Sequence, residues 1–180
     1  TFKYLCGLMS GAHLVTRAWI ANCHQERVWR SPMDDELVSG CTIAHSIVSR
    51  GPHNTLLAPE KMAGKCFFVF GAFQGGSNKT EVEQLMRLGG AKLRTELPQK
   101  PNETKSTIIV CDGSTLNYEQ FQELRPKCSI MVQPNFVTDS CSKCHPRPLH
   151  EYQVPAPTPP QGAAASSSVS GVKGRQEISR

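Results

Sequence analysis

The chain has 180 residues, a net charge of +5, 38% hydrophobic and 19% charged residues. This composition can bury a core, and no apolar run approaches the roughly 20 residues needed to span a membrane. The basic residues are scattered rather than gathered in a run, so a nucleic-acid footprint is not indicated.

In chain order, residues 13–22 (HLVTRAWIAN) read as a short apolar strand, the capping residue Thr16, and a helix opened by Trp19 and Ile20. Residues 40–60 carry Gly51-Pro52 and scattered polar residues without a steady period, as a linker does. The apolar run 65–71, ended by Gly71, predicts a central strand. Thr80 with Glu83 three positions later has the form of a capping box for a helix reaching Leu88, with Val82, Leu85, Met86 and Leu88 on its apolar side and Gly89-Gly90 stopping it. Residues 91–97 predict a second strand, 98–105 a loop, and 107–111 (TIIVC) a third strand. A helix over 118–124, a strand over 130–132 and a helix from Phe136 to about Cys144 close the pattern. This order implies an α/β fold, a small parallel four-stranded sheet flanked by helices. Periodicity assigns Trp19, Phe67, Phe68, Phe70, Ile108, Ile109, Val132 and Phe136 to the core. Beyond Gln153 the chain turns to Pro, Ala, Ser and Gly, which cannot bury enough apolar surface to order itself.

The strand, cap and helix of residues 13–22 recur in residues 130–139 (IMVQPNFVTD). Val15, Trp19, Ile20 and Asn22 answer Val132, Phe136, Val137 and Asp139 at one constant offset. Two copies of one unit follow, the second with room for all its elements and the first reading as a C-terminal half. The division expected is a half-unit over 1–39, a linker over 40–60, a complete unit over 61–153 and a disordered tail over 154–180.

Eight cysteines stand mostly alone in apolar segments, which suits a reducing, intracellular setting. Cys141-Ser142-Lys143-Cys144-His145 has the spacing of a c-type haem attachment, and Cys128 with His150 invites a zinc reading. Against both, Cys141 falls on the core side of a helix with Phe136 and Val137, and no second ligand pair stands at metal spacing; no cofactor is expected. The residues Asp34, Asp35 and Glu36, the six histidines, and Gly71, Gly75 and Gly76 form no catalytic constellation, so no enzyme is expected.

The element order, the glycine pair after the first helix and the aromatic opening the last one resemble the BRCT domain. Thr1-Phe2-Lys3-Tyr4-Leu5 followed by Gly7-Leu8 and Gly11 is similar to the helix before the final strand of a first BRCT repeat, and Trp19 stands at the family's tryptophan, where the second copy has Phe136. The likeness is to the tandem BRCT region of the breast-cancer susceptibility protein and its RING-bearing, BARD-type partner. Residues 56–68 (LLAPEKMAGKCFF), with Gly71 and Phe73, lean toward the BARD type.

The resemblance implies a module that binds phosphoserine peptides, holding the phosphate in the first repeat and a side chain three residues later in the groove between repeats. It assigns Thr1 and Lys3 to the phosphate, and Leu5, Gly76 and Thr138 to the groove. The helices 2–8 and 82–88, with the last helix, are then where the copies pack, through apolar contact. The implied setting is a nuclear DNA-damage-response or repair protein. Its implied partners are phosphorylated repair proteins, a histone or nucleosome surface, and a RING-domain protein reached through regions outside this chain. The alternative is a BRCT scaffold without phosphate binding, acting through protein, nucleosome or DNA contacts.

Overall fold

A computed structural model describes residues 1–32, 55–74 and 78–159. Three parallel strands, β1 (Cys66–Phe70), β2 (Thr107–Cys111) and β3 (Ile130–Val132), lie in the order β1-β2-β3. Phe67 stands opposite Ile108, and Ile108 opposite Ile130. β2 is buried at every position, as expected of a central parallel strand covered on both faces.

Side chains alternate across this sheet and split the core in two. Phe67, Val69, Ile108, Val110 and Val132 face one cluster; Phe68, Phe70, Ile109, Cys111 and Met131 face the other. The first cluster is closed by helix α1 (Phe2–Ser10), helix α3 (Lys79–Leu88) and helix α6 (Asn135–Lys143), through Met9, Val82, Leu85, Met86, Phe136, Val137 and Cys141. The second is closed by helix α5 (Tyr118–Leu124) through Phe121 and Leu124. Helix α2 (Arg17–Glu26) follows α1, and a short helix α4 (Pro101–Ser106) precedes β2.

The three helices expected to join the repeats do pack together: α1 meets α3 and α6, and α3 meets α6. The contact is apolar, with Met9, Met86, Val137 and Cys141 all at 0% exposure. Leu56, Leu57 and Ala58, placed in the linker by the sequence, are buried here, and the Leu57 N–H donates to the Gly89 carbonyl at 2.6 Å. The rest of that linker up to residue 54, and residues 160–180 of the expected tail, lie outside the described residues. Val154, placed in the disordered tail by the sequence, is instead buried, and its N–H donates to the Met131 carbonyl at 3.0 Å.

Several local expectations are corrected. The strand expected over 91–97 is reduced to one parallel bridge between Leu93 and Phe67, held by Phe67 N–H to Lys92 carbonyl (2.8 Å) and Arg94 N–H to Phe67 carbonyl (2.7 Å). Charged residues on either side of Leu93 and the following Pro98 leave no apolar alternation to extend it. The expected loop before β2 instead forms α4, whose Pro101 sits at the first turn where a missing N–H costs nothing. α3 begins two residues earlier than read, because Asn78, not Thr80, is its cap and accepts the Glu81 N–H at 2.8 Å. Phe136 is fully buried, with Phe67 stacked at 6.3 Å and Tyr152 edge-on at 5.8 Å.

Trp19 departs most from its assignment to the core. It is only half-buried, stacked on Trp29 at 5.6 Å with its indole N–H donating to the Ser31 carbonyl at 3.3 Å. Its neighbour Ile20 is 59% exposed and Trp29 83%. Phe136 and Val137, the residues matched to Trp19 and Ile20 by the sequence, are at 0%, packed with the β1 and β2 side chains Phe67, Val69, Ile108 and Val110. Among the described residues no such sheet lies over α2.

Candidate functional site

Where α1, α3 and α6 converge, their ends leave a cleft of about 200 Å³ lined by Thr1, Phe2, Leu5, Glu81, Val82, Leu85 and Thr138. Three of the residues assigned from the sequence, Thr1, Leu5 and Thr138, therefore meet in one place. Lys3 is exposed on the first turn of α1 and does not line the cleft. Gly76 lies outside the described residues.

The chemistry of the cleft follows from these helices. Thr1 is the N-cap of α1, yet its hydroxyl makes no capping hydrogen bond. Helix geometry leaves the first N–H groups, those of Phe2 and Lys3 among them, without intrahelical acceptors, and the helix dipole adds partial positive charge there. A hydroxyl and backbone donors thus stand at the mouth, with Lys3 exposed on the same first turn of α1 outside the lining, a set suited to an anion. The walls are apolar: Val82 at 0% and Leu85 at 1% exposure hold the α3 side. Thr138 spends its hydroxyl proton on the Asn135 carbonyl at 3.1 Å, so it presents no free donor.

Sequence reasoning does not single out Glu81, Val82, Leu85 or Phe2 as site residues. It reads Val82 and Leu85 only as the apolar side of a helix, and a cap placed at Thr80 points to Glu83 instead. Asn78 followed three positions later by Glu81 is the pattern that locates Glu81 in the first turn. Glu83 pairs with Arg87 on its own helix at 3.3 Å, whereas Glu81 makes no ion pair among the described residues. The Cys6 thiol on α1 is pushed up by burial and further by the negative charge of Glu81, so that charge is felt across the cleft.

A larger cavity of about 480 Å³ runs along α2, lined by Ile20, Cys23, His24, Arg27, Val28 and Trp29, and contains none of the assigned residues. Among the described residues no group of three histidine, cysteine or carboxylate side chains is placed to hold a metal. Cys141 is fully buried, and Cys144 ends α6 in a left-handed conformation. No helix among the described residues is long and apolar enough to cross a membrane.

No family model matches the sequence, and no curated protein matches it. Solved structures do. The C-terminal BRCT domain of human XRCC1 is 15% identical, covering 59% of this chain and 99% of that one, with a TM-score of 0.44. Rtt107p (residues 820–1070) is 14% identical over 82% of this chain and 67% of its own, with a TM-score of 0.52. Rtt107p in complex with a phosphorylated histone aligns at 13% identity, over 82% of this chain and 68% of that one, also at 0.52. The fold is of the BRCT type. The small parallel sheet flanked by helices matches the α/β class read from the sequence.

Proposed function

We propose that this chain is a non-catalytic reader of phosphoserine peptides belonging to a nuclear DNA-damage-response or repair protein. The observation that carries the reading is the start of α1: an unused Thr1 hydroxyl, free first-turn N–H groups and exposed Lys3, above a cleft closed by two further helices. Phosphate suits that combination, since oriented backbone donors and a mobile ammonium meet its charge together. Rtt107p, whose fold this chain shares, has been captured with a phosphorylated histone. By the same reading the partners are phosphorylated repair proteins or a histone surface, and a RING-domain protein would be engaged through regions outside this chain.

A second reading, a scaffold without phosphate binding, is favoured by one observation: the carboxylate of Glu81 lines the same cleft as Thr1 and repels an anion. The two are separated by a phosphoserine peptide library with unphosphorylated controls, bound to the protein and to Lys3→Ala. Phosphate-dependent binding weakened about tenfold by the variant supports the reader. Equal binding with and without phosphate overturns it in favour of the scaffold. A steep loss of affinity with salt on duplex DNA would instead point to nucleic acid.

A further inference from the structure

We infer that Glu81 sets the selectivity of the three-helix cleft, favouring a ligand that carries a lysine or arginine a few residues beyond its phosphoserine. The inference rests on the phosphopeptide reading and names the ligand class that reading leaves open.

Glu81 is the one ionisable side chain among the residues lining the cleft, and it makes no ion pair among the described residues. Its helix shows what a satisfied glutamate looks like, since Glu83 pairs with Arg87 at 3.3 Å. Nor does Glu81 fold back on its cap. At α5 the residue in the same position, Gln120, returns its side chain to the Asn117 N–H at 3.2 Å, while Asn78 gains no such bond from Glu81. The carboxylate is thus left to face the cleft, beside Leu5, Val82 and Leu85.

An occupant must satisfy both parts of that surface. A lysine or arginine lays its aliphatic stem on the apolar wall and brings a cation to the carboxylate. A phenylalanine matches the wall alone, and partly desolvates Glu81 without giving it a partner. An acidic side chain is repelled. The separation follows from geometry: Thr1 and Leu5 are one turn apart, about 6 Å, and neighbouring helices lie about 8–10 Å away. An extended peptide advances about 3.3 Å per residue, so a phosphate at Thr1 and Lys3 places the cleft about two to three residues further on. The same carboxylate keeps the phosphate at the mouth, because its charge opposes a second anion inside.

The test is fluorescence polarisation with two peptide series, phosphorylated and unphosphorylated. Each carries lysine, norleucine, phenylalanine or glutamate at the second, third or fourth position after the serine. They are bound to the full chain and to its Glu81→Gln and Glu81→Lys variants. Lysine over norleucine by about fivefold is expected in the unaltered protein at low salt. That ratio falls to near one in Glu81→Gln, and glutamate becomes preferred in Glu81→Lys. A ratio equal in the protein and in Glu81→Gln, or a preference for phenylalanine in both, overturns the inference. Phosphate dependence without a lysine preference removes the role of Glu81 alone. A Glu81-dependent lysine preference without phosphate dependence supports Glu81 and removes the phosphate reading. No binding in either series overturns both.

Discussion

Met9→Ala examines the packing that forms the cleft. Met9 is fully buried against Leu57, Met86 and the end of α3. Truncation removes three heavy atoms, losing roughly 2 kcal/mol of transfer free energy. If the surroundings relax only in part, the cavity adds between about 1 and 2 kcal/mol, for a total of about 3–4 kcal/mol. The Met9 methyl also lies where a side chain at Gly89 would go. A Cβ there would stand 3.2 Å from Met9 Cε and 3.3 Å from Leu57 Cγ, with φ at an ordinary −80°. Gly89→Ala alone is therefore expected to cost about 1 kcal/mol through overpacking, since Leu57 is tied by its N–H to Gly89 and cannot retreat freely. In the Met9→Ala background half of the obstruction is gone and the new methyl fills part of the void. The double variant should be more stable than the sum of the singles by at least about 0.5 kcal/mol. Urea unfolding followed by far-ultraviolet circular dichroism measures all four proteins. A Met9→Ala cost under about 1 kcal/mol, or strict additivity, would refute the docking of α1 on α3 and α6.

Other expectations follow from single residues. Asp112 accepts from the Gln74 N–H (2.8 Å), the Ser114 N–H (2.9 Å) and the Ser114 hydroxyl (2.6 Å), so Asp112→Ala should cost about 1–3 kcal/mol in urea unfolding. Burial pushes the Asp112 carboxyl up, but these bonds outweigh it and hold the group below its ordinary value. Its contribution is present above the unfolded value near about pH 4 and lost as pH falls through the folded one; Asp112→Ala should flatten the acid limb of stability against pH. Phe136→Trp should destabilise by about 1–3 kcal/mol, because Phe67 and Tyr152 already occupy its surroundings; unchanged or raised thermal stability would show that room exists. Burial drives the thiols of Cys111 and Cys141 up to about 12 and Cys128 to about 11, so native alkylation at pH 8 should be slower than in denaturant by at least about a hundredfold, read by mass spectrometry.

The sheet is legible in the sequence because its strands are continuous apolar runs. TIIVC and IMV admit little else between turn residues, and their alternation gives both core faces. The element at residues 91–97 misleads because Leu93 alone offers a buried partner while its neighbours are charged, and pairing depends on what β1 presents rather than on local propensity. The start of α3 is ambiguous because two overlapping cap patterns, Asn78 with Glu81 and Thr80 with Glu83, differ only in which side chain reaches an N–H. Trp19 shows the limit of periodicity, which identifies an apolar face without showing what covers it. Thr1, Leu5 and Thr138 are located through family resemblance, since nothing in their local sequence marks a cleft between three helices. Glu81 needs the structure, because its significance comes from facing the cleft without an ion-pair partner among the described residues.

The most direct test of the account is a titration of the isotopically labelled protein with a phosphoserine peptide and its unphosphorylated twin, followed by amide chemical shifts. Phosphate-dependent shifts centred on Phe2 and Lys3, extending to Glu81 and Thr138 and absent with the unphosphorylated peptide, are the predicted result. Shifts confined to α2 around Ile20 and Trp29, or identical for the two peptides, would contradict it.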